Sequence, residues 1–142
     1  MDRIVTPYQP RAVVLYEGEN DIGAYGHTPQ QVLDNINRFM DRLWQANPET
    51  RLYILSIKPS IYRESSWPQK QAANRLLRER CAQDKRLMFI DTASSMFDTQ
   101  GELKRDIFMD DKLHMNPAGY AIWTSIIKPL LVRHEGPFEN LN

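Results

Sequence analysis

Apolar residues fall into three short, nearly continuous runs along the chain, at positions 11–16, 52–57 and 87–91. Each run is rich in β-branched, leucine or aromatic residues and is followed by a polar or proline-containing segment. Runs of this length and composition are typical of strands buried on both faces of a sheet. The pattern therefore predicts three buried β-strands.

Between these runs, apolar residues recur at spacings of three and four, which is typical of amphipathic helices. The first helix should begin at Thr28, with Pro29 in its first turn and Gln31 completing a capping box, and should end before Asn47-Pro48. The second should begin in a similar way near Ser66. Its apolar stripe is formed by Ala72, Ala73, Leu76, Leu77 and Cys81.

A third helix follows the last strand, with Asn116 as its cap and Pro117 in its first turn. Proline lacks an N–H donor and clashes with the preceding turn, so Pro129 is expected to bend or end this helix. Residues 134–142 should then form a loose tail. The side chains expected to be buried are Ala118, Ala121, Ile122, Ile126 and Ile127.

Strands that alternate with helices imply right-handed crossovers and an α/β fold with a parallel sheet covered on both faces. The length of 142 residues predicts a single domain over residues 1–142. In such sheets, ligands bind beyond the carboxyl ends of the strands. Candidate chemistry is therefore sought in the segments that follow the three apolar runs.

Composition and charge exclude several function classes. The chain carries 18 basic and 18 acidic side chains, so no global field favours binding to nucleic acid. No apolar stretch approaches the roughly 20 residues that a membrane-spanning helix requires. Cys81 is the only cysteine, and its helical spacing from Leu77 predicts a small buried side chain rather than a reactive thiol.

Two short motifs lie almost a hundred residues apart. Residues 18–21, Gly-Glu-Asn-Asp, follow the first predicted strand, and residues 111–114, Asp-Lys-Leu-His, precede the cap of the last helix. Taken alone, the first is ordinary turn chemistry and the second contains an ordinary solvated histidine. A metal cluster of Asp110, Asp111 and His114 is the weaker alternative, because no second His or Cys stands at ligand spacing. The two motifs at these two places, one directly after a strand and one directly before a helix cap, form a far rarer combination than either motif alone.

The two motifs and their flanking sequences, from about Tyr8 to about Leu130, resemble the SGNH, or GDSL, hydrolases. The resemblance implies a three-layer, flavodoxin-like α/β/α fold. It also implies hydrolysis of a small-molecule ester through an acyl-serine intermediate, with neither a metal nor an organic cofactor.

Residue roles follow from the same resemblance. Asn20 matches the side-chain donor to the oxyanion, His114 the general base, and Asp111 the residue that orients the imidazole. Gly18 and Asp21, which flank Asn20, are predicted to lie in the substrate-binding segment.

Two blocks of the family pattern are missing, the segment that bears the nucleophile and a later glycine that would contribute a backbone N–H to the oxyanion. Neither the Gly-Asp-Ser segment that bears the nucleophile nor a Gly-x-Ser-x-Gly elbow occurs in the 142 residues. The family sheet has five strands in the order 2-1-3-4-5, and the first strand here corresponds to the third. We therefore expect an N-terminally truncated hydrolase that is inactive alone and self-associates through an open sheet edge. The alternative is a noncatalytic remnant that acts as a binding or assembly module.

Overall fold

A computed structural model describes Met1 and residues 3–139 and shows an α/β fold. Its three strands are all parallel and lie in the order β1-β2-β3, which confirms the predicted strands and sheet type. The strands are β1 (Ala12–Leu15), β2 (Arg51–Leu55) and β3 (Leu87–Ile90). The helices are α1 (Glu19–Gly23), α2 (Pro29–Ala46), α3 (Trp67–Cys81) and α4 (Pro117–Glu139), with short 3₁₀ turns at Thr6–Tyr8, Glu64–Ser66 and Ser94–Met96.

The chain forms two compact units. The first comprises Met1–Ile57 and Ser65–Ile90, and therefore holds the sheet and helices α1 to α3. The second comprises Lys58–Glu64 and the chain from Asp91 onward, and holds α4.

The core of the first unit lies between one face of the sheet and helices α2 and α3. The parallel register places Leu15 beside Ile54, and Ile54 beside Phe89, in one row of side chains. These residues pack with the apolar stripes of α2 and α3 in one cluster. Helix residues fully or almost fully buried there are Val32, Ile36, Met40, Leu43, Ala73, Leu77 and Cys81. Burial raises the pKa of the Cys81 thiol to about 11, as expected for an unreactive side chain.

Local capping chemistry sets the ends of α2. The Thr28 hydroxyl accepts from the Gln31 amide, the Gln31 side chain accepts from the Thr28 amide, and the helix ends at Ala46, with Asn47 as its C-cap. The predicted capping box is thus confirmed. Helix α3 begins at Trp67 as expected, but the Ser66 side chain makes no capping hydrogen bond. Ser66 has helical dihedral angles, continuing the preceding 3₁₀ turn, whereas a capping residue needs an extended backbone.

Helix α4 differs from its prediction in two ways. It continues through Pro129 to Glu139, so residues 134–139 are helical and the expected loose tail is wrong there. Residues 140–142 lie outside the described part of the chain. Pro129 and Ser125 are both exposed, so water can satisfy the Ser125 carbonyl that loses its helical partner.

The buried face of α4 is also rotated from the predicted one. Gly119 and Trp123 are buried, whereas Ala118 and Ala121 are exposed. A Cβ at Gly119 would lie 2.6 Å from the carbonyl oxygen of Ile107. Because glycine has no side chain, this face of α4 can lie against the backbone at Ile107. The spacing of apolar residues does not indicate that a glycine marks the buried face.

Strand β1 forms one edge of the described sheet, and its Val14 side chain is 44% exposed. Exposed edges with apolar side chains are templates for pairing with another chain, so self-association stays a prediction. Among the described residues, no helix is both long and apolar enough to cross a membrane.

Candidate active site

Gly18 ends the segment that follows β1 and caps α1. Its φ is +105°, and a Cβ at this position would lie 2.6 Å from the Cδ1 atom of Ile57. Only glycine combines that backbone angle with that close approach. The tight turn places Asn20 in the first turn of α1, where its side chain is exposed.

A buried ion pair holds α1 against α3. The Nζ atom of Lys70 lies 2.9 Å from the Glu19 carboxylate, and the Lys70 side chain is fully buried. One turn further along α3, the Asn74 side chain bonds both the N–H and the carbonyl of Ile57, at 2.7 and 2.9 Å. These polar contacts hold Glu19, which precedes Asn20 in the chain, and Ile57, which packs against Gly18.

Sequence reasoning missed both of these polar residues on α3. The available signal was the spacing of Lys70 from Ala73 and Leu77, which continues the buried stripe of the helix by one turn. A charged residue in such a stripe requires a buried partner.

Asp21 has a structural role in the same turn. Its carboxylate lies 3.2 Å from the Nδ1 atom of His27, and its carbonyl accepts from the His27 amide at 2.8 Å. Both contacts close the loop between α1 and α2. Gly18 and Asp21 therefore shape the segment that carries Asn20, while direct substrate contact by either residue stays a prediction.

Asp111 and His114 form a close pair in the second unit. The Nδ1 atom of His114 lies 2.6 Å from one Asp111 oxygen, and the other oxygen accepts from the amides of Leu113 and His114, both at 2.9 Å. The hydrogen bond from His114, followed by the backbone amides, lowers the pKa of Asp111 to about 2. An ionised carboxylate only accepts, so Nδ1 carries the proton and Nε2 of the neutral ring is a proton acceptor. Both side chains are exposed to solvent.

The loop that bears this pair is closed by its own hydrogen bonds. The Met109 amide donates to the His114 carbonyl at 2.8 Å. The Asn116 side chain donates to the Asp106 carbonyl and accepts from the amides of Ala118 and Gly119, which confirms it as the cap of α4. The loop is thereby tied to a helix start.

Three serine hydroxyls of the second unit form hydrogen bonds with groups other than His114. Ser94 donates to Asp91, Ser95 to the Thr92 carbonyl and Ser125 to the Ile122 carbonyl. Asp91 thus caps the turn that follows β3, since it also accepts from the Ser94 amide at 3.1 Å. Within the described part of this unit, no serine bonds to His114, and the buried Ser60 hydroxyl has no hydrogen-bond partner. Residues 1 and 3–139 also contain no group of three or more His, Cys, Asp or Glu side chains that could hold a metal ion.

Comparison with known proteins shows the family of this chain. Residues 2–122 match the model of the GDSL-like Lipase/Acylhydrolase family, which covers most of the chain. The chain therefore belongs to this family.

Individual relatives are distant. The chain is 28% identical over 126 residues to platelet-activating factor acetylhydrolase IB subunit alpha1 of Pongo abelii, a match that covers 88% of the chain and 53% of that protein. A carbohydrate esterase family 3 structure from Talaromyces cellulolyticus has a TM-score of 0.75 at 17% identity, over 90% of this chain and 60% of that one. A GDSL-like lipase from Bacteroides thetaiotaomicron has a TM-score of 0.71 at 21% identity, over 87% and 63% respectively.

These structural likenesses support the fold. The chain spans about half the length of the curated relatives that it matches.

Proposed function

We propose that this chain supplies the general base and one oxyanion donor of a small-molecule ester hydrolase that acts through an acyl-serine intermediate. The observation that supports this most is the Asp111–His114 pair, with its 2.6 Å hydrogen bond and its ionised carboxylate. In the family to which the chain belongs, such a pair activates a serine.

The proposed reaction follows from these groups. Nε2 of His114 takes the proton of a serine hydroxyl as its oxygen attacks the ester carbonyl, and Asp111 stabilises the imidazolium that results. The Asn20 amide donates to the developing oxyanion. His114 then gives its proton to the leaving alcohol, and a water molecule, activated by the same base, releases the acid. Neither a metal nor an organic cofactor takes part in this scheme.

We further propose that the nucleophile comes from a segment outside these 142 residues. Two facts support this: no Gly-Asp-Ser occurs in the sequence, and 53% of the length of a curated relative is matched. The family model spans residues 2–122 and thus parts of both compact units, which supports the proposal that they belong to one domain.

The test is a complementation assay. The purified chain is assayed with p-nitrophenyl acetate, first alone and then with the front segment of a full-length family member. We expect no turnover above background alone, and turnover once the front segment is added. In the complex, His114→Ala should lower kcat at least about 1,000-fold and Asn20→Ala about 100-fold or more. His134→Ala, a histidine on α4, is the matched control and should have no effect.

Two outcomes would contradict the proposal. Turnover by the chain alone that disappears in His114→Ala would mean that a hydroxyl or water bound by this chain is the nucleophile. A soluble complex with the front segment that has no activity would instead favour a noncatalytic binding or assembly module.

A further inference from the structure

A buried lysine contacts the loop that bears His114. Lys58 follows β2 and belongs to the second unit, together with that loop. Its side chain is almost fully buried, and its Nζ atom donates to the Leu113 carbonyl at 2.6 Å. The same ammonium lies 5.6 Å from the centre of the Phe108 ring. Burial of an ammonium group is costly unless the group is hydrogen-bonded. The hydrogen bond to Leu113, rather than apolar packing, therefore accounts for the buried Lys58 side chain.

A second contact joins the same two segments. The Tyr62 amide donates to the Lys112 carbonyl at 3.0 Å, so residues 58–62 bind the two consecutive carbonyls that precede His114. Lys112 has a φ of +60°, a left-handed conformation that is unfavourable for a residue other than glycine. The contacts from residues 58–62 therefore add to the loop's own hydrogen bonds in holding this conformation.

The peptide group between Leu113 and His114 connects Lys58 to the candidate base. Its oxygen accepts from Lys58, and its N–H donates to Asp111 at 2.9 Å. A hydrogen bond to a peptide oxygen polarises the group and strengthens its N–H as a donor, and bonds from charged donors are about twice as strong as neutral ones. Asp111 in turn accepts from His114 Nδ1. The four groups thus form one continuous chain of hydrogen bonds.

We propose that Lys58 is a positioning residue for His114, which acts through the Leu113–His114 peptide group to fix the Asp111 carboxylate and the imidazole that it orients. The inference rests on the proposed function only in taking His114 as the base. It predicts that loss of the ammonium loosens the Asp111–His114 pair while the rest of the fold remains.

The test uses NMR spectroscopy of the full 142-residue chain, with Lys58→Met as the variant and Lys112→Met, an exposed lysine of the same loop, as the matched control. In Lys58→Met we expect amide exchange of Leu113 and His114 to become at least about 10-fold faster, and the downfield Nδ1 proton signal of His114 to weaken or vanish. Lys112→Met should change neither signal. Unchanged exchange and an unchanged Nδ1 signal in Lys58→Met would overturn the proposal.

A measurement on the unaltered chain covers the case in which Lys58→Met does not fold. The Lys58 ¹⁵Nζ group should give a resolved signal with a coupling to the Leu113 carbonyl carbon through the hydrogen bond. A freely rotating ammonium that exchanges with water would overturn the proposal without any variant.

An activity measurement separates this inference from the proposed function. In the complemented enzyme, Lys58→Met should lower kcat at least about 10-fold and leave KM within about twofold, because the residue orients the base and does not contact the substrate. An effect confined to KM would contradict the positioning role. If the complex has no activity, the proposed function fails, and the NMR measurements still decide the role of Lys58.

Discussion

The buried ion pair between Lys70 and Glu19 allows a quantitative prediction. Lys70→Met removes the ammonium and keeps a side chain of similar length, which leaves the Glu19 carboxylate buried without that cation. Glu19 is 8% exposed and Lys70 is fully buried, at a separation of 2.9 Å. Removing one partner of such a pair typically costs about 3–5 kcal/mol, because the remaining charge stays buried after its paired ion is gone.

The magnitude is large relative to the total. Natural domains are stable by about 5–15 kcal/mol, so this single change should bring the chain close to its unfolding threshold. Replacement of both residues, as Glu19→Met with Lys70→Met, removes both charges and should recover most of the loss, to within about 1–2 kcal/mol of the unaltered chain. The double variant is therefore expected to be more stable than the Lys70→Met single variant.

The assay is urea unfolding followed by tryptophan fluorescence and far-UV circular dichroism. All variants are compared at one low protein concentration, because association would add to the apparent stability. Lys85→Met, an exposed lysine beyond α3, is the control and should change stability by about 0.5 kcal/mol or less. A Lys70→Met loss as small as that of the control, or a double variant as unstable as the single one, would refute the reasoning.

Three further predictions follow from other contacts. Gly18→Ala should lower the free energy of unfolding by about 2–4 kcal/mol, because φ is +105° and a Cβ would lie 2.6 Å from a neighbouring side chain. Gly26→Ala, at φ +69° in open space, should lower it by only about 1–2 kcal/mol. Equal losses in thermal or urea unfolding would show that the close approach at Gly18 is relieved. The carboxyl carbon of Asp111 should titrate with a pKa of about 2 in ¹³C NMR spectra. Because this folded-state pKa is depressed, any stabilisation from the contacts of Asp111 is complete above its unfolded-state pKa of about 3.9 and is lost as the pH falls through about 2. A titration midpoint near 3.9 would contradict the hydrogen bond to His114. The chain alone should sediment as a dimer or larger species, and Val14→Lys, on the exposed face of edge strand β1, should shift it toward monomer; a monomeric unaltered chain would rule out the open-edge prediction.

What could be predicted from the sequence was mainly local in the chain. The Thr28 capping box, the Asn116 cap and the Asp111–His114 pair each join residues at most four positions apart, so spacing alone indicated the contact. The three apolar runs were equally readable, because strands of a parallel sheet are typically rich in apolar residues on both faces.

The contacts that support the candidate site were not readable in this way. Lys58 and Leu113 are 55 positions apart, and Lys70 and Glu19 are 51 apart, so no periodicity connects them. In the sequence, Lys58 looks like an ordinary solvated charge, whereas the helical spacing of Lys70 indicates that it is buried but does not identify its partner. The prediction for the end of α4 was wrong for a different reason. The proline rule is local, but at Pro129 water can replace the hydrogen bond that the exposed Ser125 carbonyl loses.

The most direct test of the central claim is to locate the nucleophile chemically. The chain complexed with the front segment of a full-length family member is treated with a fluorophosphonate, whose phosphorus is attacked by an activated serine with loss of fluoride, and the labelled peptide is identified by mass spectrometry. We predict that the label appears on a serine of the front segment, and that His114→Ala abolishes labelling while His134→Ala does not. Labelling of a serine within the 142 residues themselves, dependent on His114, would contradict the account.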